Sequence, residues 1–156
     1  MTAVLALVFG FCCWGVERLV RRQREAHDAF ERALLADPDN KPSYEAFEAG
    51  HVFPYAASSA RRNQIKTNYG QLRVGLRRDE VARLLGEPDC SEIMFSKGPR
   101  DEYLGRAWTY YLDKPNPKMV NLKDDKTVEV FFDPAGKVHW VVSNVEGLAE
   151  IGSPGS

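Results

Sequence analysis

VGLRRDEVARLLGEPD, residues Val74 to Asp89, reads as a short helix with both ends marked. Leu76 precedes a charged first turn, and Val81, Leu84 and Leu85 recur at helical spacing. Gly86 suits the left-handed residue just past the last turn, and Pro88 blocks continuation. A helix of about ten residues does not persist alone in water, so the Val81/Leu84/Leu85 stripe predicts a surface on which it docks.

The segments that follow supply such a surface. Ser91 to Ser96 and the aromatic run Ala107 to Leu112 favour strands. Thr127 to Val142 is the clearest hairpin: Val128, Val130 and Phe132 alternate with Glu129 and Phe131, Asp133-Pro134-Ala135-Gly136 turns the chain, and Val138, Trp140 and Val142 resume the alternation. Upstream, Ser43 is placed to cap a short helix through Tyr44, Phe47 and Ala49 that Gly50 ends. Ala56 to Tyr69 reads as helical again, and Lys114 to Lys126 as a polar loop.

These residues carry a resemblance. The Gly75-Leu76 pair, the pattern from Asp79 to Pro88 (D-x-V-x-x-L-L-G-x-P), the Trp108-Thr109-Tyr110 strand and the final pair from Val130 to Val138 are together similar to the SmpA/OmlA (BamE-like) family. The match spans about residues 65 to 145. The resemblance implies an α+β fold, with helices packed on one face of a small three-stranded antiparallel sheet that faces an envelope partner or lipid. The same arrangement resembles the repeat unit of β-lactamase inhibitor proteins.

The chain has 156 residues, 44% hydrophobic and 28% charged, enough for one core plus appendages. A formal net charge of -1 argues against nucleic acid as a partner, which needs a basic excess or face. Arg61 to Arg83 is locally basic (Arg61, Arg62, Lys66, Arg73, Arg77, Arg78 and Arg83 against Asp79 and Glu80), and reads as a solvated helix face or, second, a patch for anionic lipid or an acidic partner. Cys12, Cys13 and Cys90 make no disulfide framework, and His27, His51 and His139 are scattered, so no zinc site is expected.

Ala3 to Val16, AVLALVFGFCCWGV, carries no charge and is followed by Glu17 and then by Arg18, Arg21, Arg22 and Arg24. The run is short for a bilayer span and close in size to a signal-peptide core. Met1-Thr2 offers no basic side chain and Phe11 precedes Cys12 where a small residue belongs, so an uncleaved anchor is expected rather than a secretory or lipoprotein signal. Apolar positions recur through Val16, Leu19, Gln23, His27, Phe30 and Leu34, which predicts that the helix continues as an amphipathic stalk. Arg18, Arg21, Arg22 and Arg24 then sit against lipid headgroups. The arginines favour the cytoplasmic side by the positive-inside tendency, while the family resemblance favours the periplasm.

The expected organisation is a transmembrane anchor and stalk over residues 1–40, a partly helical connection over 41–64, the α+β domain over 65–147 and a flexible tail over 148–156. No P-loop, GxSxG, HExxH or GxGxxG is present. Asp79-Glu80 and Asp124-Asp125 read as a helix N-terminal pair and a solvated loop pair, and Cys90 as a partly buried bystander. No catalytic, cofactor-binding or metal-binding residue and no cofactor is therefore expected. Core packing accounts for most of the sheet aromatics; on strict alternation Phe131, His139 and Val141 fall on the other face and form an exposed patch that binds a partner. The expectation is a non-enzymatic, membrane-anchored accessory or adaptor subunit of a bacterial envelope complex, whose partners are the membrane lipid bilayer and envelope or membrane proteins, with no nucleic acid. An inhibitor or immunity-type protein that binds an enzyme through the same face is the alternative. Catalysis or redox chemistry at Cys90 is a third, weaker reading.

Overall fold

The computed structural model describes Val20, Arg21, Arg24, Glu25, His27, Asp28, Arg32, Asp39 and residues 41–96, 102–117 and 124–154. Asp39–Met94 with Leu104–Ser156 forms one compact unit, and Met1–Pro38 with Phe95–Tyr103 another. In the second unit the described positions between Val20 and Arg32 are helical and exposed.

The first unit is sheet-rich. Helices α1 (Tyr44–Gly50), α2 (Ser59–Asn68, extended by a 3-10 turn at Tyr69–Gln71) and α3 (Arg78–Leu85) accompany strands β1 (Tyr55–Ala56), β2 (Cys90–Phe95), β3 (Tyr103–Lys114), β4 (Lys126–Phe132), β5 (Val138–Ser143) and β6 (Ile151–Gly152). The sheet is six-stranded in the order β1-β3-β4-β5-β6, with β2 also paired to β3, and the registered pairs are antiparallel. β1 and β2 therefore share the edge of β3 that β4 leaves free.

This corrects the expected three-stranded sheet with helices on one face. β1 and β6 are two residues each, too short for any periodicity to mark them. α2 and α3 cover one face, where Ile65, Tyr69, Val81 and Leu85 meet Trp108, Tyr110, Leu112, Val128, Val130, Phe132, Val138 and Val141. α1 covers one end of the other face, where Phe47 meets Cys90 and Tyr111. Tyr111 and Leu112, adjacent in β3, thus point into two different cores. Within the stretch expected as a flexible tail, Leu148 packs on the main core and Ile151–Gly152 pairs with β5.

The expected N-terminal membrane helix finds no counterpart among the described residues. Among the described residues no helix is long and apolar enough to cross a membrane. Ala3 to Val16, together with Arg18 and Arg22, lie outside the described residues; Arg21 and Arg24 are exposed helical positions.

The VGLRRDEVARLLGEPD segment forms α3 as its ends dictate. Gly75 donates its N–H to the Val138 carbonyl at 2.7 Å, and Val138 donates back to the Leu76 carbonyl at 2.8 Å, so the start of the helix is stitched to β5. The Glu80 carboxylate accepts the Arg77 N–H at 2.8 Å, half of a capping box, since a guanidinium offers no acceptor for the other half. Gly86 (φ 83°) ends the helix and donates to the Ala82 carbonyl. The Leu84 carbonyl, left without a helical partner, accepts from Asn68 Nδ2 at 2.8 Å and Gln64 Nε2 at 3.3 Å on α2. Asp89 then crosses to the sheet: its N–H donates to the Thr109 carbonyl, its carboxylate accepts the Tyr111 N–H at 2.7 Å, and Arg61 pairs with it at 3.0 Å. Val81 and Leu85 are fully buried and Leu84 is half-buried at the margin of the core.

The basic run from Arg61 to Arg83 is largely spent on such pairs. Arg61 meets Asp89, Arg62 meets Asp113, and Arg77 and Arg83 meet Asp79. Several arginines are thus tied into the fold rather than pooled as an anion-binding patch.

Candidate open sheet face

Beyond α1, the face of the sheet opposite α2 and α3 is concave, and its residue sizes explain why. The central strand β3 contributes small side chains there, Ala107 and Thr109, between Glu92 and Met94 of β2 and Glu129 and Phe131 of β4. Register sets Thr109 opposite Glu129 and Ala107 opposite Phe131. The trough encloses a volume of about 350 Å³, and Met94 and Phe131 also line a second hollow of about 360 Å³ with Leu104, His139, Trp140 and Pro154. Gly105 continues the small-residue line in β3 for a stricter reason. At φ 119°, a Cβ on it would lie 1.9 Å from the Phe132 carbonyl oxygen.

A bulge decides which side chains reach this face. Phe131 pairs with Trp140 but Phe132 with Val138, so β5 carries His139 as one residue more than β4. An extra residue flips the parity of everything after it. Val138 and Val141 both face the main core, while Trp140 turns out and stacks on Phe131 with ring centroids 4.4 Å apart. Trp140 Nε1 donates to Glu150 Oε1 at 2.5 Å, which fixes the indole.

Of the three residues expected to bind a partner, Phe131 and His139 therefore line the open face, and Val141 does not. Val141 is 0% exposed, a correction that follows from the bulge. The expected core residue Trp140 takes its place beside Phe131. The residues missed by sequence reading are Trp140, Met94, Leu104, Glu92 and Glu129. For Glu129 a signal existed: a carboxylate within the apolar β4 run points away from the core that Val128 and Val130 enter.

The electrostatics of the trough are one-sided. Glu92 and Glu129 both line it, and no hydrogen bond or ion pair joins either to a basic side chain among the described residues. The Glu129 carboxyl is held above the ordinary glutamate range, first by burial and then by the charge of Glu92. Asp125, also on the trough wall, is by contrast paired: Lys114 Nζ, fully buried, donates to Oδ2 at 3.2 Å and sits 5.1 and 5.2 Å from the Tyr44 and Tyr111 ring centroids.

Cys90 lies at the α1 end, 1% exposed. Burial pushes its thiol up to about 12, against a hydrogen bond with Thr109 that pulls it down, so it stays a thiol at neutral pH and lacks the thiolate that nucleophilic or redox chemistry requires. Among the described residues no group of three or more His, Cys, Asp or Glu is disposed to hold a metal ion. What the arrangement offers is a shaped, half-apolar surface with two carboxylates that no basic side chain neutralises among the described residues.

No protein-family model, no curated protein and no solved structure matches the chain, so the SmpA/OmlA resemblance rests on the short motifs from Gly75 to Val138 alone.

Proposed function

We propose that this chain is a non-enzymatic binding module that docks a partner protein on the open face of its sheet. One observation carries the reading: stacked Phe131 and Trp140, with Met94 and Leu104, sit beside a trough on a face that, among the described residues, α1 covers at one end. Aromatic side chains held rigidly on a partly covered sheet supply large apolar area at little entropic cost, which is the make-up of binding hot spots. The short motifs shared with the SmpA/OmlA family support an accessory role in a bacterial envelope complex, and the adaptor reading rests on that likeness.

The test compares the wild-type chain with Phe131→Asp, each immobilised and exposed to extract of the host cell. Phe131 lies outside the main core, so both proteins are expected to melt alike. A discrete partner held by wild type and lost from the variant is the expected result. Identical retained proteins, with folding intact in both, would contradict the reading.

A further inference from the structure

The docking reading leaves the chemistry of the partner open, and the trough narrows it. Its two carboxylates, Glu92 and Glu129, face one another across Ala107 and Thr109 without a cation among the described residues. A folded protein gains nothing by itself from holding the half-buried Glu129 carboxyl within reach of the charge of the exposed Glu92, which raises it further. The arrangement becomes favourable when a cation enters from outside. One i to i+2 step along β4, about 7 Å, separates the Glu129 row from the Phe131 row, where the second, apolar hollow begins.

We infer that the segment bound by this face is an extended peptide stretch of a partner protein, with an arginine seated between Glu92 and Glu129 and an apolar side chain two residues away, over Met94 and Phe131. The inference rests on the docking reading of the same face. Charge complementarity selects the cation, and the shape of the site selects its kind. A guanidinium is planar, weakly hydrated and able to bond two carboxylates at once, and its flat sides tolerate the small, apolar floor of Ala107. A divalent ion suits the site less well, because it requires more oxygen ligands than two carboxylates provide and, among the described residues, no group of three or more His, Cys, Asp or Glu is disposed to hold one.

Two capped tripeptides test this on the full chain: arginine-serine-leucine, and the same peptide with citrulline, which keeps the shape of arginine and removes its charge. Backbone amide correlation spectra locate each peptide and measure its affinity. The arginine peptide is expected to shift the amides of Glu92, Ala107, Thr109, Glu129 and Phe131, and to bind at least about tenfold more tightly than the citrulline peptide. The double variant Glu92→Gln/Glu129→Gln is expected to bring the arginine peptide down to the citrulline level while the citrulline affinity stays unchanged. Equal affinity of the two peptides for the wild-type face would overturn the cation and leave the docking reading standing. So would an arginine peptide that ignores the double variant, or one whose shifts map elsewhere. Absence of shifts with either peptide at millimolar concentration would also overturn the inference, and the Phe131→Asp comparison then decides separately whether the face docks a protein at all.

Discussion

Replacing Lys114 with Met should bring the protein close to unfolding. The ammonium is 0% exposed, bonded to Asp125 Oδ2 at 3.2 Å and placed between the rings of Tyr44 and Tyr111. Unit charges at that separation attract by about 5 kcal/mol at the effective dielectric of a protein interior, a gross figure that desolvation reduces. The loss on mutation is nonetheless large, because Lys114→Met leaves Asp125, 5% exposed, as a buried charge without its cation. Breaking a buried pair from one side costs about 3–5 kcal/mol, against a total stability of about 5–15 kcal/mol for a domain. Asp125→Asn should cost a similar amount, and the double variant markedly less than the sum, with a coupling of about 2 kcal/mol or more. Urea unfolding at neutral pH, followed by far-UV circular dichroism, measures all four corners of the cycle. The alkaline limb adds a second check. Burial alone would lower the lysine pKa, but the Tyr44 hydroxyl and the Asp125 carboxylate outweigh it, so the folded value lies above the ordinary 10.5. The stabilisation is then fully present below 10.5 and lost as pH rises through the folded value, so the gap between wild type and Lys114→Met should narrow on that alkaline side. Single-variant losses below about 1 kcal/mol, or strict additivity, would show that the pair is solvated and refute the argument.

Three further outcomes follow from particular contacts. Gly105→Ala should destabilise by about 3 kcal/mol or more in the same urea assay, because its Cβ would meet the Phe132 carbonyl oxygen at 1.9 Å and the left-handed φ adds strain; an unchanged midpoint would mean the β3 geometry is wrong. Glu129→Gln should raise the melting temperature at neutral pH. The carboxyl is raised by burial and by Glu92, so its favourable, protonated state is complete below 4.5 and lost as pH climbs through the folded value; the advantage of Gln should fade as pH falls, and an advantage that grows on acidification would contradict the placement. Cys90 should resist alkylation by iodoacetamide at neutral pH while the protein is folded and react once urea unfolds it, as followed by peptide mass spectrometry; prompt labelling of the folded chain would contradict its burial.

What the sequence reveals here is mostly local. α3 was legible because its signals lie within sixteen residues: an apolar stripe, a glycine in the left-handed region and a proline past it. The β4–β5 hairpin was legible for the same reason, since alternation and the Asp133 to Gly136 turn are short-range. Its second half was not, because the bulge at His139 adds one residue without any compositional mark and reverses the sides of Trp140 and Val141. The reach of β3 was hidden by Gly105 and the buried Arg106, which interrupt the apolar pattern. α1 was visible as a helix but not as a cover for the second face. Its stacking of Phe47 on Tyr111, at 4.9 Å, joins residues far apart in the chain. The carboxylate trough was equally out of reach, since Glu92 and Glu129 meet only after strand order places β2 and β4 on either side of β3.

The central claim, that the open sheet face is where this protein meets a partner, is tested most directly by photocrosslinking in the living host. p-Benzoylphenylalanine would replace in turn Met94, Leu104, Phe131 and His139 on the face, and Val52 and Val74, which are 89% and 53% exposed outside the trough. The account predicts a discrete adduct from the four face positions, competed by added wild-type chain, and none from Val52 or Val74. Adducts of equal strength at all six positions, or adducts confined to Val52 and Val74, would contradict it.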